Sequence, residues 1–300
     1  MIICPECASS LELDEISASQ QAVCGKCGWQ QLNHEGIPDF LTKDDRNNEM
    51  FRDYVENYDD LAQINLEKSN IDRRFLHNQS KNIIRYLDDV KGKNVCDVGF
   101  GQGFLTRELI AAGATSVTAV DVSISYLKQI VDKPDILPLQ TNAENLPFRE
   151  EFDLIVSTDV IEHVLNIGSF LYSVNRALKP GGIACIRSPY REGLLQYSPH
   201  TGFGHRFCHL RSFNKDIYNI YMRQAGFSAP SFHLDGYSLG TPREYLYDTT
   251  WKKIQYGKLS AWLSKYAEHP ADVTMWNSYL NRLIMKPIEI VVIAQKVREL

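Results

Sequence analysis

Short apolar runs alternate with stretches of helical periodicity along most of the chain. Residues 95–98, 116–122 and 152–158 have the length and apolar content of strands that are buried on both faces. Apolar residues at helical spacing follow the first of these runs, at residues 104–110. The alternation predicts an α/β fold, a doubly wound and mostly parallel sheet with helices on both faces and a ligand site at the carboxyl ends of its strands.

Four further segments bring the predicted sheet to seven strands. They lie at residues 138–148, 178–186, 227–239 and 288–297, and the second of them opens with a Pro-Gly-Gly turn that leads into the strand itself. Ahead of the first strand, residues 49–87 have a helical pattern in which aromatic and apolar side chains recur every three or four positions. Most of these aromatic side chains are expected in the core.

The first strand opens into a loop with three glycines at alternate positions, Gly99, Gly101 and Gly103. Glycine removes the Cβ atom where a ligand must approach the backbone, and the helix start offers unpaired N–H groups to an anionic group. A dinucleotide fingerprint needs its third glycine at the sixth position, which Phe104 occupies, so NAD is disfavoured. The alternative is a glycine-rich turn that binds no ligand.

Composition and charge narrow the class of protein. The chain has 300 residues, of which 44% are hydrophobic and 23% charged, enough for one sizeable core with appendages. A formal net charge of -5 and a pI near 5.9 give no general attraction to nucleic acid. Because the N-terminus lacks a signal pattern and the apolar run at 288–294 is too short to span a bilayer, we expect a cytoplasmic protein with no membrane span.

Four of the seven cysteines form two Cys-x-x-Cys pairs near the N-terminus, Cys4 with Cys7 and Cys24 with Cys27. This spacing is typical of a four-thiolate structural zinc site, and in a reducing compartment it favours a metal over disulfides. Free buried thiols or a redox dithiol are the alternatives. Residues 1–45 contain two Lys and eight Asp or Glu, so this module would repel phosphate groups.

The glycine loop together with Asp97, Asp-x-Gly-x-Gly-x-Gly, resembles motif I of the class I S-adenosylmethionine-dependent methyltransferases. Five segments in order between residues 99 and 186, including a Glu-His pair after the fourth strand, resemble the ubiquinone-type O-methyltransferases. The resemblance implies a Rossmann-like methyltransferase fold, S-adenosylmethionine as cofactor, and a helical lid from which Tyr54 or Tyr58 could reach it. The paired cysteines and residues 35–41 resemble the zinc-ribbon module that precedes some bacterial methyltransferase domains.

The resemblance also implies a set of cofactor contacts. Asp121, at the end of the second strand, would accept hydrogen bonds from both ribose hydroxyls of the adenosine; a helix N-cap is the alternative role. Asn142 stands where the family usually has an acidic residue that holds the adenine amino group, and its uncharged carbonyl would bind that group more weakly. The predicted cofactor-binding residues are Asp97, Gly99, Gly101, Gly103, Asp121, Asn142, Ala143 and Thr158.

Two insertions after the fifth strand are expected to select the methyl acceptor. Residues 188–213 would lie over the cofactor, and the basic excess around them is compatible with an anionic acceptor or with ordinary solvated charge. Residues 243–285 are rich in aromatic side chains and predict a helical cap, which could form a homodimer face or only a small core. An acceptor protonated at neutral pH needs a base, and the candidates are His205 and His209, followed by His163.

The sequence therefore predicts a zinc ribbon at residues 1–42, a linker with lid helices at 43–91 and a methyltransferase domain at 92–300. The leading hypothesis is an S-adenosylmethionine-dependent methyltransferase that acts on a small polar acceptor, at oxygen, with His-assisted deprotonation. An RNA base methyltransferase is the nearest alternative, against which the acidic charge stands. A non-catalytic protein that binds S-adenosylmethionine or docks a partner is the third.

Overall fold

The computed structural model describes residues 1–11, 21–67, 73–194, 209–238 and 286–299. The strands in these ranges are β1 (Leu32–His34), β2 (Ile37–Asp39), β3 (Asn94–Val98), β4 (Ser116–Asp121), β5 (Ile136–Gln140), β6 (Phe152–Thr158), β7 (Leu178–Pro189), β8 (Ser231–Ser238) and β9 (Lys286–Gln295). The α-helices are α1 (Lys43–Asn47), α2 (Glu49–Glu67), α3 (Arg73–Tyr86), α4 (Phe104–Ala111), α5 (Ile124–Leu127), α6 (Ile167–Ala177) and α7 (Lys215–Gln224). Short 3-10 turns lie at Lys128–Ile130 and Ala143–Asn145.

These strands form one sheet in the order β1-β2-β5-β4-β3-β6-β7-β9-β8. β3 pairs in parallel with β4 and β6, β4 pairs in parallel with β5, and β6 with β7, whereas β9 runs antiparallel to both of its neighbours. The predicted doubly wound, mostly parallel seven-stranded sheet is confirmed in β3 to β9. The order of the strands reverses between β3 and β6, and a ligand crevice is expected at the carboxyl ends of those strands.

The central strands are buried on both faces, as their continuous apolar runs predict. Val95 and Val98 of β3 are fully buried and belong to two different core clusters. Val95 packs with Leu109 of α4, whereas Val98 lies in the cluster that contains Phe170 of α6 and Tyr218 of α7. Burying each such side chain stabilises the fold by about 1.5–3 kcal/mol, so the helices on both faces fix the strand ends that carry the site.

The N-terminal module shares this sheet and core. The backbone N–H of Phe40 donates to the carbonyl of Gln140 at the end of β5 (2.9 Å), and Ile2 forms an antiparallel bridge with Phe148. Trp29 packs on Phe40 with 5.1 Å between the ring centroids, and both belong to the main core cluster. The predicted domain boundaries stay predictions, but the β1–β2 hairpin adds two strands to the sheet that the sequence did not predict.

Several predicted strand boundaries differ from the structure. β5 (Ile136–Gln140) covers only the first part of the predicted segment 138–148, and β9 begins and ends two residues earlier than predicted. β7 begins at Leu178, ahead of the predicted Pro-Gly-Gly turn, because Leu178 already pairs with Phe152 before the register shifts. β8 begins at Ser231 instead of residue 227, since Gly226 has a φ of +78° and Pro230 lacks the N–H that a strand pairing needs.

Part of the predicted substrate region lies outside the described residues. This holds for residues 195–208 of the first insertion and for the whole predicted cap at 243–285, including the predicted homodimer face. No helix in the described part of the chain is long and apolar enough to cross a membrane.

Candidate functional site

A cavity of about 530 Å³ opens at the carboxyl ends of β3, β4 and β6, where the strand order reverses. Helices α2 and α3 contribute the opposite wall, and the volume suits a cofactor-sized ligand. All eight residues predicted to bind the cofactor line this cavity, namely Asp97, Gly99, Gly101, Gly103, Asp121, Asn142, Ala143 and Thr158. Their roles toward a cofactor stay predictions.

Backbone geometry explains why the loop after β3 contains three glycines. Gly99 has a φ of +87°, and a Cβ atom there would lie 2.2 Å from Cγ2 of Val160. Gly103, with a φ of +69°, begins α4, and its Cβ would lie 2.5 Å from the ring of Phe100. Gly101 also has a positive φ, but its Cβ would meet no protein atom closer than 3.9 Å. Two glycines therefore permit close packing, and the middle one leaves open space in the cavity.

Asp97 stands at the cavity wall with only one carboxylate oxygen engaged. Its Oδ2 accepts a hydrogen bond from Oγ1 of Thr106 (2.5 Å), while its buried Oδ1 has no hydrogen-bond partner among the described residues. Burial raises the pKa of this carboxyl to about 7. A buried acceptor without a partner is costly, so Asp97 is suited to a ligand that brings an N–H donor or a positive charge.

Asp121 is the last residue of β4, and its carboxylate is hydrogen-bonded to the backbone of the glycine loop. Its Oδ2 accepts from the backbone N–H of Gly101 and its Oδ1 from that of Ser123, each at 2.9 Å. Burial raises the pKa of Asp121 to about 6, although these hydrogen bonds oppose the shift. The alternative role as a helix N-cap is wrong, because the side chain of Ser123 caps α5. Each carboxylate oxygen has a second lone pair that a hydroxyl could use.

Asn142 is held at both ends of its side-chain amide. Its Oδ1 accepts from the backbone N–H of Glu144 (2.9 Å), and its Nδ2 donates to Oδ1 of Asp45 (2.8 Å). Asp45 lies in α1, directly after the N-terminal module, and forms the capping box of that helix with Thr42. Sequence reasoning missed Asp45, which brings a carboxylate next to the position where the family usually has its own acidic residue.

A buried ionic group at the cavity was also missed. Arg187 of β7 has a side chain that is 5% exposed, forms an ion pair with Asp159 and lies 3.5 Å from Glu289. Gln79 of α3 donates to Glu289, so the group links the lid side of the cavity to the strand ends. An arginine directly after the apolar run at residues 183–186 was the available signal, since a buried charge is paired or functional.

The two lid tyrosines line the cavity, and their contact with a cofactor stays a prediction. Tyr54 and Tyr58 of α2 both line the cavity, with 4.6 Å between their ring centroids. Burial raises the pKa of both phenols, so they stay neutral. Tyr58 lies edge-on to His163 at 5.7 Å between centroids, which places the lid beside the histidine side of the cavity.

Two of the three predicted bases lie together. His163 lines the cavity, burial lowers its pKa to about 4, and its ring meets that of His209 edge-on at 4.6 Å. Glu192 contacts Nδ1 of His209. Glu162 is fully buried beside them, neither of its carboxylate oxygens has a hydrogen-bond partner among the described residues, and burial raises its pKa to about 8. His205 lies outside the described residues.

The four paired cysteines converge at the other end of the N-terminal module. The Sγ atoms of Cys4 and Cys27 are 3.6 Å apart, those of Cys7 and Cys24 are 3.7 Å apart, and all four lie within 4.8 Å of one another. Thiolates at about 2.3 Å from a tetrahedral zinc ion would be separated by about 3.8 Å. The donor set and its spacing therefore fit zinc.

Comparisons with known proteins point to one enzyme class. Residues 96–186 match the family model described as a methyltransferase domain. The tRNA U34 carboxymethyltransferase of Idiomarina loihiensis is 28% identical over 117 residues, which cover 36% of this chain and 36% of that protein. The ubiquinone biosynthesis O-methyltransferase of Bradyrhizobium diazoefficiens is 34% identical over 108 residues, 34% of this chain and 42% of that protein. The chain thus spans less than half the length of either relative.

Solved structures share the fold. One is a chain from the complex between the Haloferax volcanii Trm112 methyltransferase activator and a methyltransferase, with a TM-score of 0.52, 16% identity and coverage of 80% of this chain and 98% of that one. Another is Haemonchus contortus phosphoethanolamine N-methyltransferase 2 in complex with S-adenosyl-L-methionine, with a TM-score of 0.50, 20% identity and coverage of 74% and 53%. At these identities the likeness concerns the fold alone.

Proposed function

We propose that this chain, a class I S-adenosylmethionine-dependent methyltransferase by its fold and its family match, methylates an oxygen atom of a small polar acceptor. The observation that carries the proposal is the convergence of all eight predicted cofactor residues on one cavity at the strand crossover. When bound, S-adenosylmethionine supplies a methyl group on a sulfonium, a leaving group that needs no protonation.

The side chains around the cavity fit that cofactor. The unpartnered Oδ1 of Asp97 would receive the cationic amino group of its methionine part, which satisfies the buried oxygen. Asp121 would accept from the ribose hydroxyls through its remaining lone pairs. Asn142, supported by Asp45, and the backbone N–H of Ala143 would hold the adenine. The lid tyrosines Tyr54 and Tyr58 narrow the cavity and would keep water from the reacting atoms.

Deprotonation of the acceptor is proposed at the histidine side of the cavity. His163 lines the cavity and His209 adjoins it, whereas the glycine loop carries no titratable side chain. A His209→Ala variant should lower turnover by about 10²-fold without changing the affinity for S-adenosylmethionine. The control is His77→Ala, because His77 lies outside the cavity and pairs with Glu108. Turnover that is equal in both variants would reject this assignment.

We also propose that Cys4, Cys7, Cys24 and Cys27 hold a structural zinc ion. The support is that two sulfur–sulfur distances, 3.6 and 3.7 Å, are close to the separation of about 3.8 Å expected around a tetrahedral zinc ion, with all four sulfur atoms within 4.8 Å of one another. Such an ion would have a closed coordination shell, so it would stabilise the module and leave the chemistry to the cavity.

RNA is the second candidate acceptor. The partial similarity to a tRNA carboxymethyltransferase favours it, whereas the net charge of -5 opposes it. The deciding experiment incubates the protein with S-adenosylmethionine labelled in its methyl group, together with a small-metabolite extract in one arm and total RNA in the other. Methyl label in a small metabolite would support the proposal. Methyl label in RNA would show that RNA is the acceptor instead of a small molecule. If calorimetry detects no binding of S-adenosylmethionine to the protein, the proposed methyltransferase function is refuted as a whole.

A further inference from the structure

We propose that Glu162, His163 and His209 bind a divalent transition-metal ion at the wall of the cavity, separate from the cysteine cluster. Each of the three residues offers one ligand atom, and these atoms all lie within 4.8 Å of one another. Nitrogen and oxygen ligands at about 2.0–2.2 Å from one ion are separated by at most about 4.4 Å, so side-chain shifts of a few tenths of an ångström would bring all three atoms onto a single ion.

The unsatisfied atoms of the cluster support a cation. Glu162 is 0% exposed, and both of its carboxylate oxygens lack a hydrogen-bond partner among the described residues. Nδ1 of His163 is buried and is also without a partner in that part of the chain. Unpartnered buried polar atoms are rare in folded proteins, and three of them side by side call for an explanation. A cation bound by Glu162 would compensate its buried carboxylate.

The cluster is held in place by its own backbone. The N–H of Leu210 donates to the carbonyl of Glu162 at 2.9 Å. The guanidinium of Arg211 donates to the carbonyl oxygens of the two residues that follow His163, so the segment that carries His209 is fixed to the turn after β6. Such fixation orients ligands before an ion binds.

Glu192 has the position of an outer-shell partner. It contacts Nδ1 of His209, and metal-bound histidines usually present one ring nitrogen to a carboxylate or carbonyl, which fixes the tautomer. Tyr58 packs edge-on against His163 from the lid, so the ligand rings are supported from both sides.

The donor set indicates which ions fit. One carboxylate and two imidazoles suit Mn²⁺, Fe²⁺, Co²⁺ or Zn²⁺, whereas the cysteine cluster offers only soft thiolates. Three protein ligands leave at least one coordination position open, and His163 belongs to the cavity wall.

The role of the ion rests on the proposed function. An acceptor hydroxyl in the open position would become more acidic, because a bound cation stabilises its conjugate base. The O–H bond would break with its electron pair retained on oxygen, and the proton would leave to the bulk solvent before the lid excludes water from the reacting atoms. His163 and His209 would then serve as ligands, and neither would take the proton itself.

The test measures binding of Mn²⁺ to the full chain by electron paramagnetic resonance, with zinc already loaded in the cysteine site, and repeats the titration with Co²⁺ by absorption. The parent should bind about one ion, and Glu162→Gln and His209→Asn should each raise its Kd by at least about tenfold. The matched controls are Glu108→Gln and His77→Asn, which alter a Glu-His pair outside the cavity and should bind as the parent does. Thermal melts identify any variant that fails to fold. If Glu162→Gln does not fold, His209→Asn still tests the metal site.

The outcomes separate this inference from the proposed function. If the parent binds neither ion, or if both cluster variants bind as tightly as the parent, the metal site is refuted. If calorimetry then still detects S-adenosylmethionine, the methyltransferase proposal stands without a metal. If metal binding is present and S-adenosylmethionine binding is absent, the proposed function fails and the site itself remains.

Discussion

The middle glycine of the loop gives a sharp test of where the cofactor lies. In a Gly101→Ala variant, the new Cβ atom would meet no protein atom closer than 3.9 Å. The backbone N–H that donates to Asp121 at 2.9 Å would be retained. Because Gly101 lines the cavity, the added methyl group would occupy space that the proposed cofactor needs. We therefore expect Gly101→Ala to fold with little loss of stability and to bind the cofactor more weakly than the parent.

The two effects have different sizes. Gly101 has a φ of +51°, and an alanine in the left-handed region costs about 1–2 kcal/mol of stability. For a protein of this length that cost lowers the Tm by only about 2–4 °C. Removal of a close backbone contact to S-adenosylmethionine should weaken its Kd at least about tenfold, which corresponds to about 1.4 kcal/mol of binding free energy.

A second glycine supplies the control. Gly92 also has a positive φ, +75°, and a Cβ atom there would meet nothing within 4 Å, but Gly92 lies outside the cavity. Gly92→Ala should therefore reproduce the loss of stability and leave the affinity unchanged. Calorimetry with S-adenosylmethionine and thermal melts measure both quantities. If Gly101→Ala binds S-adenosylmethionine as tightly as the parent, the placement of the cofactor against Gly101 is refuted. If Gly92→Ala loses as much affinity for S-adenosylmethionine as Gly101→Ala, the loss is due to backbone strain and not to contact with the cofactor.

Three further predictions follow from the contacts around the cavity and the cysteine cluster. The pKa of Asp97 is raised to about 7, so its ionised fraction, and with it the affinity for the cationic cofactor, should rise about tenfold from pH 6 to pH 8 in calorimetry. Asp97→Asn should bind S-adenosylmethionine more weakly, and its affinity should depend less on pH. If the pH dependence of the affinity is unchanged in Asp97→Asn, Asp97 does not bind the cationic group of the cofactor. Cys4→Ser with Cys7→Ser should release about one equivalent of zinc by elemental analysis, and full retention would contradict the four-cysteine site. Asp45→Ala should weaken cofactor binding about three- to tenfold through loss of its hydrogen bond to Asn142, whereas no change in Kd would show that Asn142 needs no support.

The cofactor side of the cavity could be predicted because its signals are local. Each predicted residue lies at the carboxyl end of a recognisable strand or directly after it, and parallel strands bring their carboxyl ends to one edge of the sheet. Asp97, Asp121 and Thr158 thus meet at one cavity although they come from different strands.

Contacts between distant parts of the chain could not be predicted in this way. Asp45 reaches Asn142 because the N-terminal hairpin joins the sheet beside β5, and no periodicity in residues 1–42 indicates that pairing. Arg187 meets Glu289 because β7 and β9 are neighbours, which sequence order does not reveal. Such pairs depend on tertiary packing and carry no local sequence signal.

The histidine side of the cavity shows why residue type alone misleads. The sequence favours His209 as a base because imidazole titrates near neutral pH, and it gives Glu162 no role. In the structure Glu162 is buried without a partner, beside His163 and His209. A base needs only one imidazole and a nearby proton, so it leaves a buried carboxylate beside two histidines unexplained. A bound cation accounts for all three residues at once. His209 would then assist deprotonation of the acceptor by holding the ion, and the loss of turnover expected for His209→Ala would follow from the loss of that ligand.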